Sequence, residues 1–382
     1  MRYLPRLSLM TILMAGAAGA GAQAVPEVRI GSASPVSGPS AHLGKDTENG
    51  ARMAVNDLNA KGFMIDGKKV KLVLVAEDDG GDPKQGTAVA QKLVDARVAG
   101  VVGHLNSGTT VPASKIYHSA GIPQITPSAT TPLYTRQGFK TAFRVVANDN
   151  KVGSTLGNIA VNRLGALRVA VIDDRTAFGQ GLADEFIKGV KAASGKAQIV
   201  SRQFTHDKAT DFTAILTQVK GKNPDVIFYG GMDAVAGPML KQMQALGMNL
   251  KFMGGDGVCS EKLPQLAGDA VGEDRVTCAV AGGVTGEQEQ GYADFVERYQ
   301  KTYNLTLQTY APYAYDAVMV LATAMQSAKS ADPAVYLPAL AKVRYQGVTG
   351  IIAFDTKGDL ADAALTLYTY RKGKKIKTGV VR

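Results

Sequence analysis

The chain has 382 residues, 45% of them hydrophobic, and a formal net charge of +10. That hydrophobic content suits packed cores, and the length exceeds what one core usually spans, so we expect two domains. Because the lysines and arginines are dispersed, apart from a short cluster near the C-terminus, the charge indicates a solvated surface and gives no basis for a nucleic-acid partner.

The first two dozen residues have the pattern of an export signal. Arg2 and Arg6 form a basic start, a stretch of apolar and small residues follows, and Ala22-Gln23-Ala24 fits an A-x-A cleavage site. We therefore expect residues 1–24 to be removed near Ala24 and the mature protein to be periplasmic. No cysteine occurs before Cys259, so we expect a free protein without a lipid anchor.

Apolar strands alternate with amphipathic helices along the rest of the chain. In the first half the pattern predicts strands at 28–35, 70–79 and 99–104. After Asn148 the alternation restarts, with strands predicted at 168–174, 225–231 and 250–257. Such alternation indicates parallel sheets covered by helices on both faces, and two series of it predict an α/β protein with two similar lobes.

Two hydroxyl-rich segments, Ser107–Thr110 and Thr126–Thr130, follow consecutive strands of the first series. Strand ends of open α/β sheets are where ligands bind, and helix N-termini at such ends present unpaired N–H groups to anions. Each segment alone is typical of helix capping by serine and threonine. Two of them at neighbouring strand ends favour a shared anionic ligand.

The sequence contains no convincing motif for catalysis or metal binding. Ser107 lacks the G-x-S-x-G surroundings of a nucleophile elbow, and His104, three residues away, is expected to be structural. The four histidines form no metal-binding motif, and the acidic segment Glu77–Gly86 lacks the spacing of a calcium loop. The segment Phe178–Asp184 lacks the third glycine of a dinucleotide loop. We therefore expect no enzyme activity, no cofactor and no metal.

The chain has two cysteines, Cys259 and Cys278, and no C-x-x-C motif. In an oxidising compartment, an even pair at this modest spacing favours a disulfide over a redox site. Two buried free thiols are the alternative that the residues leave open.

Segments spread along the whole mature chain carry a recognisable pattern. They are "SGPSAHLGKD", "NDLNAKGFMIDGKKVKLV", "DPKQGTAVAQKLV", "GHLNSGTTVPASKIYHSAGIPQITPSAT", "FGQGLADEF", "TDFTAIL", "YGGMDAVAGPMLKQMQALG", "FMGGDGV" and "FDTKGDL". In order and spacing they resemble the periplasmic leucine/isoleucine/valine-binding proteins of branched-chain amino acid ABC importers.

This resemblance implies two Rossmann-like α/β lobes joined by three hinge crossovers, the type I periplasmic binding protein or Venus flytrap fold. The first lobe would comprise 25–147 plus 279–355, and the second would comprise 148–278 plus 356–382. The resemblance further implies a monomer that closes on an amino acid and delivers it to a membrane permease.

The resemblance also implies a ligand site, residue by residue. Ser107 and Thr130 match the positions that hold the carboxylate of the ligand. Ser128 and Ala129 occupy the backbone-contact positions of the same loop. Asp256 stands where the family has a glutamate that pairs with the ammonium group.

Three further positions line the pocket in that family. Phe178 matches an aromatic residue at the cleft edge, whereas Met232 and Leu43 each replace a tyrosine. Because methionine forms an adaptable wall, these changes leave the ligand open between a branched-chain amino acid and an aromatic acid, an amide or another carboxylate. A ligand-sensing receptor with the same fold is the alternative to transport.

Overall fold

The computed structural model describes residues 25–286 and 288–382, so the expected export signal at 1–24 lies outside the described residues. The strands, β1 to β16, are Glu27–Ser34, Met64–Ile65, Lys68–Lys69, Lys71–Asp78, Gly100–Gly103, Gln124–Thr126, Ala142–Arg144, Arg168–Asp173, Gln198–Phe204, Val226–Gly230, Lys251–Gly254, Val276–Val280, Arg344–Gly347, Gly350–Ala353, Leu365–Arg371 and Lys374–Val381. The helices, α1 to α12, are Ala41–Ala60, Pro83–Asp95, Ser107–Ser119, Leu133–Arg136, Asp149–Asn162, Ala177–Ala193, Thr213–Lys220, Asp233–Ala245, Leu263–Ala267, Gln288–Tyr303, Ala311–Ser327 and Pro333–Leu340. Within these described ranges, no helix is both long and apolar enough to cross a membrane.

The first lobe is built on a five-stranded parallel sheet in the order β4-β1-β5-β6-β7. Consecutive residues of β5 face opposite sides of it. Val101 packs in a cluster with residues of α2 and α3, whereas Val102 belongs to the core that contains residues of α1 and α11. Burial of both faces explains why β5 is an unbroken apolar run in the sequence.

The second lobe is built on a seven-stranded sheet in the order β9-β8-β10-β11-β12-β15-β16. Strands β8 to β12 pair in parallel, and β15 and β16 add an antiparallel edge. Helices α5 and α6 pack closely together because glycine lies at their contact: a Cβ at Gly157 would lie 2.5 Å from Phe186 O. The Phe186 ring in turn stacks on Phe228 of β10, with centroids 3.9 Å apart.

Three crossovers, after β7, β12 and β14, carry the chain between the lobes. The first two are bonded to each other, because the Ala147 N–H donates to Ala281 O at 3.1 Å. The expected boundary between 278 and 279 falls inside β12, which pairs within the second sheet along its length, so the second crossover begins after that strand. The third crossover still contacts the first lobe beyond residue 355, since the Arg144 N–H donates to Gly358 O at 2.9 Å.

The carboxyl ends of both sheets border a cleft between the lobes. The loops after β5 and β6 reach it from the first lobe, and those after β8, β10 and β11 reach it from the second. In each sheet the strand order reverses beside the strand that comes first in the sequence, β1 or β8. Such switch points open the crevices in which α/β sheets bind ligands.

Candidate functional site

The two hydroxyl-rich segments lie side by side at the carboxyl ends of β5 and β6. Ser107 is the first residue of α3, and its Oγ accepts from the Thr131 N–H at 3.4 Å. The Ser128 hydroxyl donates to Leu105 O at 2.9 Å. Both serines are buried. The segments therefore form one polar surface on the first lobe, held by hydrogen bonds between them.

Thr130 lies at the end of the second segment and is fully buried. Among the residues that the structure describes, its hydroxyl has no hydrogen-bond partner. Its carbonyl accepts from the Asp149 N–H at the start of α5, at 2.8 Å, so Thr130 connects the two lobes. An unpaired buried hydroxyl is unfavourable, and a ligand atom that bonded to it would remove that penalty.

Asp256 forms the opposite wall, in the loop after β11. Its carboxylate is buried, and the Tyr310 hydroxyl donates to Oδ2 at 2.8 Å. Oδ1 has no hydrogen-bond partner in the described part of the chain. Burial raises the pKa of Asp256 to about 6, and the hydrogen bond from Tyr310 opposes that shift. Gly257 lets this loop approach its neighbour, because a Cβ there would lie 2.7 Å from Gly231 O.

Apolar side chains surround these polar groups. Leu43, Leu105 and Tyr310 form one buried cluster, and Met232 packs against it. The narrow cavity between the two walls is lined by Leu105, Asn106, Ser107, Ser128, Ala129, Phe178, Met232, Asp256 and Tyr310. Six of the eight predicted ligand residues are on that lining, whereas Leu43 and Thr130 are outside it.

A wider cleft of about 530 Å³ adjoins the narrow cavity and shares Ser107, Phe178 and Met232 with it. Its rim is polar and carries both signs of charge, from Asp82, Asp174, Arg175, Asp207 and Lys208. The wider cleft therefore has a charged rim, and Phe178 and Met232 contribute apolar surface both to it and to the narrow inner cavity.

Sequence reasoning missed three residues of the lining of the narrow cavity, Leu105, Asn106 and Tyr310, and it also missed the buried Asp149. Tyr310 lies 54 residues after Asp256 and just before α11, where no local motif marks it. Asp149 resembles an ordinary acidic residue of a first helical turn, yet it is fully buried. Neither of its carboxylate oxygens has a partner among the described residues. Burial raises the pKa of Asp149 to about 7, and the charge of Asp256 adds to that shift.

A second contact joins the lobes at the edge of the cleft. His42 Nε2, in the first turn of α1, lies 2.7 Å from Asp233 Oδ2 at the start of α8. Asp233 is fully buried and also accepts from the Ser260 hydroxyl. Because His42 precedes Leu43 and Asp233 follows Met232, this contact holds the two lobes together beside the apolar cluster.

Both ring nitrogens of His104 contact buried residues of the first lobe. Its Nδ1 lies 2.7 Å from Asp79 Oδ2 and its Nε2 lies 3.0 Å from the Tyr117 hydroxyl, in a buried network. Both ring nitrogens are thus occupied, which is the arrangement expected of a structural histidine and not of a base for Ser107.

Cys259 and Cys278 form a disulfide, with their Cα atoms 5.5 Å apart. Cys259 lies three residues after Asp256, and Cys278 lies in β12. The bond therefore ties the loop that carries Asp256 to the second sheet.

Comparisons with known proteins agree with this architecture. A family model described as a periplasmic binding protein matches residues 27–375. The Leu/Ile/Val-binding protein homolog 1 of Brucella abortus (strain 2308) is 34% identical over 363 residues, which cover 95% of each chain.

Among solved structures, a leucine binding protein, LivK, from Thermotoga maritima has a TM-score of 0.83 at 26% identity, covering 93% of this chain and 98% of that one. The branched-chain amino acid transporter substrate binding protein LivJ from Streptococcus pneumoniae, solved in complex with isoleucine, has a TM-score of 0.81 at 28% identity over the same shares. These matches confirm the predicted α/β fold and the predicted resemblance. The chain belongs to the periplasmic binding protein family.

Proposed function

We propose that the protein is a non-enzymatic solute-binding protein that captures an aliphatic, branched-chain L-amino acid between its lobes and delivers it to the permease of an ABC importer. One observation carries the proposal. The buried Asp256 carboxylate, with an oxygen that no described residue binds, lines the same cavity as the hydroxyl-rich segments of the other lobe. The names of the relatives, which refer to leucine, isoleucine and valine, support this ligand class.

The two walls suit the two ends of a zwitterion. Burial of an unpaired ionised group costs several kcal/mol, so both charges of an amino acid need partners in a closed cleft. We assign the carboxylate to the hydroxyls of Ser107 and Thr130, with Ser128 and Ala129 as neighbouring contacts. We assign the ammonium to Asp256.

Asp149 strengthens the second assignment. The charge of Asp256 raises the pKa of Asp149, so the two carboxylates are close enough to interact when both are ionised. Two like charges in a buried place repel each other, and a positive charge between them relieves that repulsion. An ammonium group supplies it, whereas a simple carboxylic acid does not.

The side chain of the ligand would lie against Phe178, Met232, Leu105 and Tyr310. Leu43 would lie outside the cavity and pack against Leu105, Met232 and Tyr310. Each CH₂ group that leaves water contributes about 0.8 kcal/mol. Methionine adapts to several shapes, so we expect leucine, isoleucine and valine to be accepted together. We further propose that residues 1–24 direct export and are cleaved near Ala24, so that the protein acts in the periplasm as a monomer.

The experiment that tests this proposal is a thermal-shift screen of residues 25–382, unfolded and refolded beforehand to remove bound ligand. The compounds are the common amino acids, with 4-methylpentanoate and leucinamide as controls that lack the ammonium or the carboxylate. A compound that binds the folded state alone must raise the melting temperature. We expect a shift with branched-chain amino acids and with neither control.

The matched variants are Asp256→Asn, which removes the buried charge, and Asp294→Asn, which removes an exposed one on α10. We expect the first to abolish the shift and the second to retain it. A shift with 4-methylpentanoate but with no amino acid would overturn the ammonium assignment and indicate a ligand that is a plain carboxylate.

A further inference from the structure

A fully buried arginine, Arg144, lies at the end of β7, directly beneath the second hydroxyl-rich segment. Its Nη1 donates to Ala129 O at 3.0 Å and to Thr131 O at 2.8 Å. Its Nη2 donates to Thr135 Oγ1 at 3.1 Å and to Asp359 Oδ1, and its Nε donates to Asp359 Oδ1 at 3.0 Å. All five N–H groups of the guanidinium therefore have acceptors, the full number that this side chain can use.

The two carbonyls that Arg144 binds stand on either side of Thr130. In a trans peptide the carbonyl and the following N–H point in opposite directions, so holding Ala129 O also aims the Thr130 N–H away from Arg144. The next peptide is fixed at both ends, because Thr130 O accepts from the Asp149 N–H and the Thr131 N–H donates to Ser107 Oγ. The orientation of Thr130 is thus set by its neighbours, while its own hydroxyl has no partner among the described residues.

Asp359, the anchor of Arg144, belongs to the third crossover. It also accepts from the Thr135 hydroxyl at 2.9 Å and from Asn148 Nδ2, in the first crossover, at 3.1 Å. Burial alone would raise the pKa of Asp359, but the charge of Arg144 and these hydrogen bonds hold it below its ordinary value. Two of the three chain segments that form the hinge therefore meet at this one carboxylate.

We propose that Arg144 is a positioning residue that links the hinge to the ligand site: anchored by Asp359, it holds the Ala129–Thr131 backbone in the geometry that binds the ligand's carboxylate. The inference rests on the proposed function of the cleft, and it concerns a residue 215 positions from its anchor. A buried ion pair with no such role would stabilise the fold without affecting recognition of one end of the ligand. A positioning role and a purely structural role therefore predict different binding results.

The decisive variant is Asp359→Asn, which keeps the size of the side chain and one acceptor but removes the anchoring charge. Arg144→Lys keeps the positive charge and loses the planar fork that reaches two carbonyls at once. Asp274→Asn serves as control, because Asp274 pairs with Arg371 on the surface of the second lobe. If either buried variant does not refold, Thr135→Val replaces it, since it removes only the hydroxyl that bridges Arg144 and Asp359.

The first measurement is affinity by titration calorimetry, for leucine directly and for leucinamide, whose binding is much weaker, by displacement of leucine at concentrations above those of the thermal-shift screen. We expect Asp359→Asn and Arg144→Lys to weaken leucine binding at least about tenfold, the loss typical of a misplaced charged hydrogen bond. Leucinamide binding should change much less, so the preference for a carboxylate should shrink. Equal losses for both compounds, with the preference intact, would overturn the inference and leave Arg144 a structural role.

The second measurement does not depend on the identity of the ligand. Native-state hydrogen exchange of the unliganded protein should show faster exchange of the Thr130 and Thr131 amides together with residues 145–148 in Asp359→Asn, and no such change in Asp274→Asn. Unchanged exchange at Thr130 and Thr131 would overturn the inference. Absence of amino-acid binding by the wild type would contradict the proposed function alone, and the exchange data would still decide the role of Arg144.

Discussion

Tyr310 donates its hydroxyl hydrogen to Asp256 Oδ2 at 2.8 Å, across the cleft between the lobes. Tyr310 precedes α11 of the first lobe, and Asp256 follows β11 of the second. The bond stabilises the ionised carboxylate in a place where burial favours its neutral form. Tyr310 therefore supports both closure of the lobes and the charge that we assign to ammonium binding.

Tyr310→Phe tests that role. Without its hydrogen bond, Asp256 should titrate above the pKa of about 6 that it has in the intact protein. We expect affinity for leucine at pH 6.5 to fall about tenfold, the usual effect of losing a hydrogen bond to a charged group. Because an acid with a raised pKa ionises as pH rises, much of the loss should be recovered at pH 8.5.

The measurement is titration calorimetry at the two pH values. Tyr345→Phe is the control, since Tyr345 lies in β13, away from the cleft. An equal loss of affinity at both pH values would mean that Tyr310 acts by packing and not through the charge of Asp256.

Ligand binding should also release protons. When an ammonium group approaches Asp256, it favours the ionised form and lowers the pKa from about 6. At pH 6 about half of the unliganded molecules carry that proton, so binding should release up to roughly half a proton per molecule. Release should decline toward pH 8, where Asp256 is already ionised. Calorimetry in buffers of different ionisation enthalpy measures it, and net proton uptake at pH 6 would contradict the ammonium assignment.

Asp149 gives a prediction about stability. Its pKa is about 7 in the folded protein, against an ordinary value of 3.8, so the folded state binds this proton more tightly than the unfolded state. Stability should therefore fall as pH rises from about 4 to about 7, by up to about 4 kcal/mol for this group alone. Asp149→Asn should flatten that decline and raise the unfolding free energy at pH 8.

Urea unfolding of the unliganded protein at pH 5 and pH 8 provides the measurement. Asp211→Asn is the control with the opposite sign, because hydrogen bonds from Thr213 lower the pKa of Asp211. Because the pKa of Asp211 lies below 3.8, Asp211→Asn should be about equally destabilising at pH 5 and at pH 8, and should lose that effect only in stronger acid. A wild-type curve whose decline between pH 5 and pH 8 is unchanged by Asp149→Asn would rule out a buried, unpaired carboxylate at this position.

Much of the fold follows from local pattern. The bare apolar run of β10 predicts a strand covered on both faces, and the structure buries Val226–Gly230 completely. Ser107 and Ser128 could be predicted to meet, because each follows a strand and parallel strands end at the same edge. These inferences need only neighbours in the sequence.

The remaining features depend on contacts between distant residues. Tyr310 reaches Asp256 from 54 positions away, and Arg144 reaches Asp359 from 215 positions away. No local periodicity or sequence motif indicates these two contacts, because they form only when the three crossovers bring the lobes together. The boundary expected at 278 lies inside β12, which continues through it as one strand, paired with β11 as far as Cys278 and with β15 as far as Val280.

The contact between His42 Nε2 and Asp233 Oδ2 predicts a change in closure. His42→Ala removes this link between the lobes and leaves Asp233 with the Ser260 hydroxyl. We expect the unliganded variant to populate open forms more than the wild type does, with a larger radius of gyration in solution scattering. His206→Ala, at an exposed position, should have no effect. An unchanged radius in His42→Ala would show that other contacts alone hold the lobes.

The disulfide between Cys259 and Cys278 gives the last prediction. Closing a loop of this size stabilises a protein by about 3 kcal/mol in the chain-entropy description. We expect the double variant Cys259→Ser/Cys278→Ser to lower the urea midpoint, and the wild type to match it under reducing conditions. Because the bond ties the loop carrying Asp256 to β12, the variant should also bind leucine more weakly after its stability is restored at lower temperature. Mass measurement of the non-reduced wild type should find no reactive thiol; two reactive thiols would exclude the bond.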